Sequence, residues 1–365
     1  MKHLICLAAV LSLLSCSPSH PSTTTISSPG SGPVQEPGKP EPPKQLGDGY
    51  QLSGPYTHSN LSVFLIHKPG VARETVELLT LEEAFKAKTL QVTEKGDGGQ
   101  VNKLEVENTG DLAVYLQAGD TVKGGKQDRT IGVDFLLPPH SGKKDVDAFC
   151  VEPGRWQARA GAPEDGVRGA VVFGSAKAPV ASREQKLAVK LAGNQSKVWE
   201  EGEKVNKDLF EKSSAGKPAT PESLKSTSYV LASEAPAVET KVLEYTDALI
   251  KITEGKGDAV GMAFAINGEA STVEFYSGPG LFKKLWPKLL KSAALEAFSK
   301  KANQAPARQA SAEDIKTLMT QASDGKTTTR DLAQDVKVET IDTARTAIFE
   351  TRVKGELLHR QVLTK

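Results

Sequence analysis

Hydrophobic positions along the chain change their spacing near its middle. In the first half they come in short alternating runs. Leu61-Ser62-Val63-Phe64-Leu65-Ile66 reads as a strand. Thr80-Leu81-Glu82-Glu83 has the spacing of a capping box and predicts a short helix through Ala87. Strands are then expected at Leu90–Glu94, Lys103–Glu107, Leu112–Gln117, Arg129–Leu137 and Asp145–Glu152. Gly, Pro, Asn and Asp clusters separate them, as in an antiparallel arrangement. Pro138-Pro139-His140-Ser141-Gly142 is one such turn.

Beyond Arg183 the spacing becomes helical. Leu187, Leu191, Val198, Val205 and Leu209 fall on one face of Arg183–Lys212, and Val238, Val242, Tyr245, Leu249 and Ile252 form a second stripe. Val260–Ile266 and Thr272–Tyr276 flank Asn267-Gly268, a strong hairpin signal. Leu281–Lys300 is apolar and helical, and Pro287 is expected to kink it or start a new turn. Ser311 caps a helix to Ala322, and Val336–Val353 and Glu356–Leu363 read as closing strands. The expected fold is α+β: a β-rich antiparallel sandwich or barrel-like core with flanking helices. One domain should span 49–365, with helices mainly in 183–300.

The N-terminus follows a different pattern. Lys2 and His3 precede an apolar run, Leu4–Leu14, shorter than the roughly 20 residues a membrane-spanning helix needs. Its length suits a signal-peptide core. The run ends in Leu13-Leu14-Ser15-Cys16, which resembles a bacterial lipobox. Residues 1–15 are therefore expected to be a lipoprotein signal peptide and Cys16 the acylated residue, with palmitate among its lipids. Ser17 follows rather than Asp, which by resemblance directs the protein to the outer membrane. Residues 16–48 are rich in Pro, Ser and Thr, cannot offset their ordering entropy by burial, and are expected to be a disordered tether. The expected membrane contact is the lipid on Cys16.

Charge and cysteine content narrow the classes. Lys plus Arg is 46 and Asp plus Glu 45. Removing residues 1–15 takes one basic residue and no acidic one, leaving zero net charge. A balanced chain lacks the basic excess of a nucleic-acid binder. Of the three cysteines, Cys6 would be discarded and Cys16 lipidated, so Cys150 would be the single free thiol.

Most catalytic motifs fail. The His residues at 3, 20, 58, 67, 140 and 359 contain no H-E-x-x-H and meet no Cys pair, so neither metal nor cofactor is expected. The stretch Gly119–Gln127 looks like a phosphate loop, but Gln127 stands where Ser or Thr must bind magnesium. Ser214-Ala215-Gly216-Lys217 fits S-x-x-K without its partner motifs.

One polar constellation remains. In a strand, Gln127 and Arg129 share parity with the apolar Ile131, Val133, Phe135 and Leu137. A buried Arg needs an acceptor, and Glu152, in register with Val146, Ala148 and Cys150, is the expected one. Glu152-Pro153-Gly154-Arg155-Trp156 then forms a tight turn. Lys126, Gln127, Arg129, Glu152, Arg155 and Trp156, with Arg168, Gln195 and Trp199 nearby, are the candidate ligand-binding residues for a small anionic ligand. The competing reading is a structural network that locks loops to the sheet. Cys150, Glu152 and His359 are the catalytic candidates, although a mid-strand Cys150 reads more readily as a small buried hydrophobe.

These residues also carry a family resemblance. Asn60-Leu61-Ser62-Val63-Phe64, Leu81-Glu82-Glu83-Ala84 and Leu104-Glu105-Val106-Glu107-Asn108 fit its opening. Gly119-Asp120, Gly125-Lys126-Gln127-Asp128-Arg129 and Cys150-Val151-Glu152-Pro153-Gly154-Arg155-Trp156 fit its centre. Gln195-Ser196-Lys197-Val198-Trp199, Val260-Gly261 and Leu358-His359 follow. The chain resembles the ARG and rhodanese-phosphatase-superfamily-associated protein domain family, which usually has Asn where this chain has Asp128. The resemblance implies no particular reaction. The expectation is a lipid-anchored envelope module, not an enzyme, that binds a ligand or an envelope protein. The alternative is an envelope hydrolase or transferase using Cys150 or His359 with Glu152.

Overall fold

A computed structural model describes residues 43–71, 77–96, 100, 102–154, 173–175, 180–214, 228–302, 308–320, 325–333 and 335–365. The first half supplies β1 (Lys44–Gly47), β2 (Tyr50–His58), β3 (Leu61–His67), β4 (Leu78–Thr80), α1 (Leu81–Lys86), β5 (Leu90–Glu94), β6 (Lys103–Asn108) and β7 (Ala113–Leu116). Then come β8 (Thr121–Gly124), β9 (Arg129–Ile131), β10 (Phe135–Leu137), β11 (Gly142–Cys150) and β12 (Phe173–Ser175). The second half supplies α2 (Arg183–Lys190), α3 (Gln195–Ser213), α4 (Tyr229–Ser233), α5 (Pro236–Leu249), β13 (Ala259–Ile266), β14 (Glu269–Tyr276), α6 (Pro279–Ser299) and α7 (Ala312–Thr320). The chain closes with β15 (Lys326–Ala333), β16 (Val336–Asp342), β17 (Thr346–Val353) and β18 (Glu356–Thr364).

The fold is α+β. A nine-stranded antiparallel sheet runs in the order β1-β2-β3-β13-β14-β18-β17-β16-β15. Alternation in its strands feeds two cores. Leu61, Val63 and Leu65 of β3 pack with Tyr245 of α5 and with Leu285 and Leu289 of α6. Phe64 and Ile66, on the opposite face, pack with Ile315 and Leu318 of α7. A six-stranded sheet (β12-β8-β9-β11-β6-β5) and a three-stranded one (β10-β7-β4) enclose a third core around Leu104, Val106 and Ile131.

Several elements follow from local chemistry. Thr80 and Glu83 close the capping box of α1, with Glu83 N–H donating to Thr80 Oγ1 at 3.3 Å and Thr80 N–H to Glu83 Oε2 at 2.9 Å. The Asn267-Gly268 turn joins β13 to β14 with both residues at positive φ. Helix α6 stays continuous through Pro287.

Three expectations need correction. Arg183–Lys212 is two helices, because Gly193 takes φ +54° and the Asn194 side chain caps α3 by accepting from Lys197 N–H at 3.1 Å. Val336–Val353 is a hairpin, β16 and β17, rather than one strand. Arg129–Leu137 divides at Gly132-Val133-Asp134 into β9 and β10, which join different sheets. The parity linking Arg129 to Phe135 and Leu137 therefore does not hold across that break. Strands β1, β2, β4, β8, β12 and β15 and helix α4 are additions to the elements read from the pattern.

Candidate functional site

Two polar clusters stand out. The first contains the residues singled out in the sequence. Arg129 lies in β9 opposite Cys150 of β11 and is fully buried. Its Nη2 donates to both carboxylate oxygens of Glu94, at 3.2 and 3.0 Å, and its Nη1 meets Cys150 Sγ. Glu94 Oε1 also accepts from Lys126 N–H at 2.9 Å. Glu94, which strand parity did not point to, is thus a carboxylate partner of Arg129. Glu152 is buried in the same cluster, where its Oε1 accepts from Asp128 N–H at 3.1 Å. Asp128 in turn accepts from Gly124 N–H at 3.1 Å and Ser228 Oγ at 3.0 Å.

The cluster joins β5, β9, β11 and the start of α4. Gln195 holds the Cys150 backbone from both sides, accepting from its N–H at 2.9 Å and donating to its carbonyl at 2.7 Å. Burial pushes the Cys150 thiol up to about 11, with Arg129 opposing and Glu94 and Glu152 reinforcing. Such a thiol is not a thiolate at neutral pH. Gln127 is buried beside Arg129, and Trp199 is partly buried on α3. Arg155, Trp156 and Arg168 lie outside the described residues.

The second cluster is assembled across the fold. Register places Tyr276 opposite His359, Glu274 opposite Gln361, and Thr351 opposite His359, so Glu274, Tyr276, His359, Gln361 and Thr351 share one face of the nine-stranded sheet. The loop after β7 brings Gln117, and the break between β9 and β10 brings Asp134. Helix α2 brings Lys186 and Lys190.

Asp134 is the hub. Its Oδ2 accepts from His359 Nδ1 at 2.7 Å and Thr351 Oγ1 at 2.6 Å, while Oδ1 accepts from Ala118 N–H at 2.8 Å. Burial alone would raise its pKa, but His359, Lys190 and these hydrogen bonds pull it well below the usual carboxylate range. His359 Nδ1 thus faces an ionised carboxylate.

Glu274 is the second anion. It accepts from Lys186 Nζ at 2.9 Å, Gln117 Nε2 at 3.1 Å and Tyr276 Oη at 3.0 Å, and also from Gln361. Burial opposes its ionisation, yet Lys186, His359 and the hydrogen bonds hold it at about 2. The Tyr276 and His359 rings stack at 4.6 Å, and Tyr115 meets His359 edge-on at 6.5 Å. Lys190 donates to Gln361 Oε1 at 3.0 Å, and burial brings its ammonium down to about 8.

The end of β7 and the loop after it, which present Tyr115 and Gln117, are themselves braced. Lys288 Nζ lies 2.6 Å from Asp120 Oδ1 and 2.9 Å from Glu82 Oε1, and Gln117 N–H donates to Asp120 Oδ2 at 3.0 Å. Burial still pushes Asp120 up to about 6.

Three buried atoms of this array have no hydrogen-bond partner: His359 Nε2, Tyr115 Oη and Gln117 Oε1. Burial and the charges of Asp134, Tyr276, Asp120 and Glu274 hold the Tyr115 phenol well above its ordinary range, so it keeps its proton. A cavity of about 10 Å³, room for one water-sized group, borders the array at Glu274, and Arg183, Lys186, Thr272 and Ser292 also line it. Among the described residues no group of three or more His, Cys, Asp or Glu is arranged to hold a metal ion.

His359 was legible in the sequence as a candidate, but its carboxylate is Asp134. Glu94, Asp134, Glu274 and Gln361 were missed. Their common signal is an acidic or amide residue inside an apolar strand run, such as Glu274 in Ser271-Thr272-Val273-Glu274-Phe275-Tyr276.

No curated protein and no solved structure matches the chain. One family model, ARPP-1, the ARG and Rhodanese-Phosphatase-superfamily-associated Protein domain, matches residues 49–363. That span includes both polar clusters and runs nearly to the end of β18, so the chain belongs to the ARPP-1 domain family.

Proposed function

We propose that this ARPP-1 domain is a lipid-anchored module of the cell envelope that binds a small polar ligand, with the Asp134–His359 array as its recognition surface. One observation carries the binding reading: three buried polar atoms of this array, His359 Nε2, Tyr115 Oη and Gln117 Oε1, have no hydrogen-bond partner. Native interiors seldom leave such groups unpaired, because each forfeits its hydration without return. The Gln127, Arg129 and Glu152 cluster, with the backbone of Lys126, braces the end of β11. The lipobox-like Leu13-Leu14-Ser15-Cys16 supports the anchor, and outer-membrane placement follows from Ser17.

Both parts are testable. Labelled palmitate should enter the wild-type protein in cells and be lost with Cys16→Ala; equal labelling of both removes the anchor. A metabolite screen by thermal shift on the purified full chain should yield a stabiliser whose effect disappears in Tyr115→Phe. A stabiliser unaffected by that change would place the site elsewhere.

A second reading, a hydrolase, is favoured by the Asp134–His359 pair, which has the carboxylate–imidazole half of a general-base system. In that case His359, not Cys150, is the base. Substrate turnover lost in His359→Gln and retained in Cys150→Ala would support it.

A further inference from the structure

A third polar group lies outside both clusters, where β2, β3 and the loop before β13 meet. Ser53 Oγ lies 2.7 Å from His67 Nε2, and His67 Nδ1 lies 3.0 Å from Asp258 Oδ1. Register explains the meeting. Ser53 is opposite Leu65, and His67 is the next residue of β3 on that face. His67 is also opposite Ala259, the first residue of β13, which sets Asp258 beside the ring. Lys68 N–H donates to the Asp258 carbonyl at 3.0 Å and pins that loop.

A β-bulge adds Tyr56. Gly54 and Pro55 together stand against Phe64, so Tyr56, opposite Val63, returns to the Ser53 face. Gly54 is required there: its φ is +108°, and a Cβ would lie 2.8 Å from Val63 O. Tyr56 Oη donates to Ser53 Oγ at 3.3 Å, and Lys256 Nζ donates to Tyr56 Oη at 2.7 Å.

The two ends of this chain of contacts set its proton directions. An ammonium only donates and a carboxylate only accepts. Lys256 therefore fills a lone pair of Tyr56 Oη, whose proton goes to Ser53 Oγ. The Ser53 proton is left for His67 Nε2, and Nδ1–H faces Asp258. Nucleophile, base and orienting carboxylate then stand in order. A cavity of about 1080 Å³ adjoins the group: Lys256, Gly257 and Ala259, which flank Asp258, line it with Leu78, Phe282 and Lys283.

We propose that Ser53, His67 and Asp258 form an acyl-transfer site that hydrolyses carboxylic esters. Ser53 Oγ attacks the ester carbonyl carbon while His67 Nε2 takes the Oγ proton and the carbonyl electron pair moves onto its oxygen. That pair returns, the alkoxide leaves with the proton from Nε2, and the acyl group stays on Ser53. Water then attacks the acyl carbon in the same way and releases the carboxylic acid and Ser53. Asp258 is a positioning residue that acts through the imidazole. This activity is independent of the Asp134–His359 array.

The test treats the full chain with a biotinylated fluorophosphonate, which forms an O–P bond to an activated serine and loses fluoride. Peptide mass spectrometry should find the label on Ser53. His67→Gln should slow labelling about 100-fold or more, and Asp258→Asn should slow it as well. The wild-type rate should fall as pH is lowered, because a doubly protonated ring cannot take the Ser53 proton; a merely structural contact would give no such profile. The Asp258 side chain is 44% exposed, so Asp258→Asn carries the test if His67→Gln does not fold. p-Nitrophenyl acetate should be hydrolysed by wild type and not by Ser53→Ala. No label on Ser53, or a labelling rate unchanged in a folded His67→Gln or Asp258→Asn protein, would overturn the proposal, as would equal ester hydrolysis by wild type and Ser53→Ala.

Discussion

His359 Nδ1 lies 2.7 Å from Asp134 Oδ2, and this contact ties the closing strand to the break between β9 and β10 across 225 residues of sequence. Both side chains are buried, at 1% and 2% exposure. Removing one member of such a pair strands the other in a medium that solvates it poorly. Asp134→Asn is expected to cost about 3–5 kcal/mol in urea denaturation. A double-mutant cycle with His359→Gln should give a coupling of about 1 kcal/mol or more. Additive losses would show that the two residues act independently.

Glu274 gives the fold an acid limit. Its pKa falls from 4.5 to about 2 on folding, so its contribution is present above 4.5 and is lost as pH drops from there toward 2. The shift corresponds to about 3 kcal/mol at 1.36 kcal/mol per unit. Unfolding free energies of wild type and Glu274→Gln, compared between those pH values, should converge as the pH falls. A difference independent of pH would mean that Glu274 gains nothing from Lys186 and Gln361.

Cys150 should be inert in the folded protein. Burial raises its thiol to about 11, and the side chain is enclosed against Arg129. Iodoacetamide at pH 7 is expected to leave it unmodified until denaturant is added. Rapid alkylation of the native state would contradict this packing and reopen nucleophilic chemistry at Cys150.

Gly261 sets how closely β13 approaches β14 behind the array. A Cβ there would lie 2.3 Å from Glu274 O and 2.4 Å from Phe275 Cβ. Gly261→Ala is expected to destabilise the protein by about 1–3 kcal/mol, through displacement of the strand that carries Glu274. Chemical denaturation measures it directly, and an unchanged midpoint would show that the hairpin opens freely.

Local signals in the sequence were read correctly where neighbouring residues alone decide the structure. The Thr80–Glu83 capping box and the Asn267-Gly268 hairpin depend on contacts within a few positions. The break at Gly132-Val133-Asp134 does not. Asp134 interrupts an apolar run because His359, Thr351 and Ala118 satisfy it, and two of those are remote in sequence. The cluster around Arg129, Gln127, Cys150 and Glu152 was legible from strand parity, but Glu94 was not, since β5 is not a neighbour of β9 in the sheet order and the contact is made directly between side chains. The array was hidden for the same reason: its members come from β7, β14, β17, β18, α2 and two loops, and register brings only those of β14, β17 and β18 onto one face.

The most direct test of the array as a binding surface is the melting temperature of Tyr115→Phe, measured without and with a stabilising ligand from the screen. Removing an unpaired buried hydroxyl while keeping the ring should stabilise the ligand-free protein by about 1–3 kcal/mol. The same change should abolish the ligand's effect. A Tyr115→Phe protein that is less stable than wild type when ligand-free, and that still responds fully to the ligand, would contradict the assignment of the Asp134–His359 array as the site.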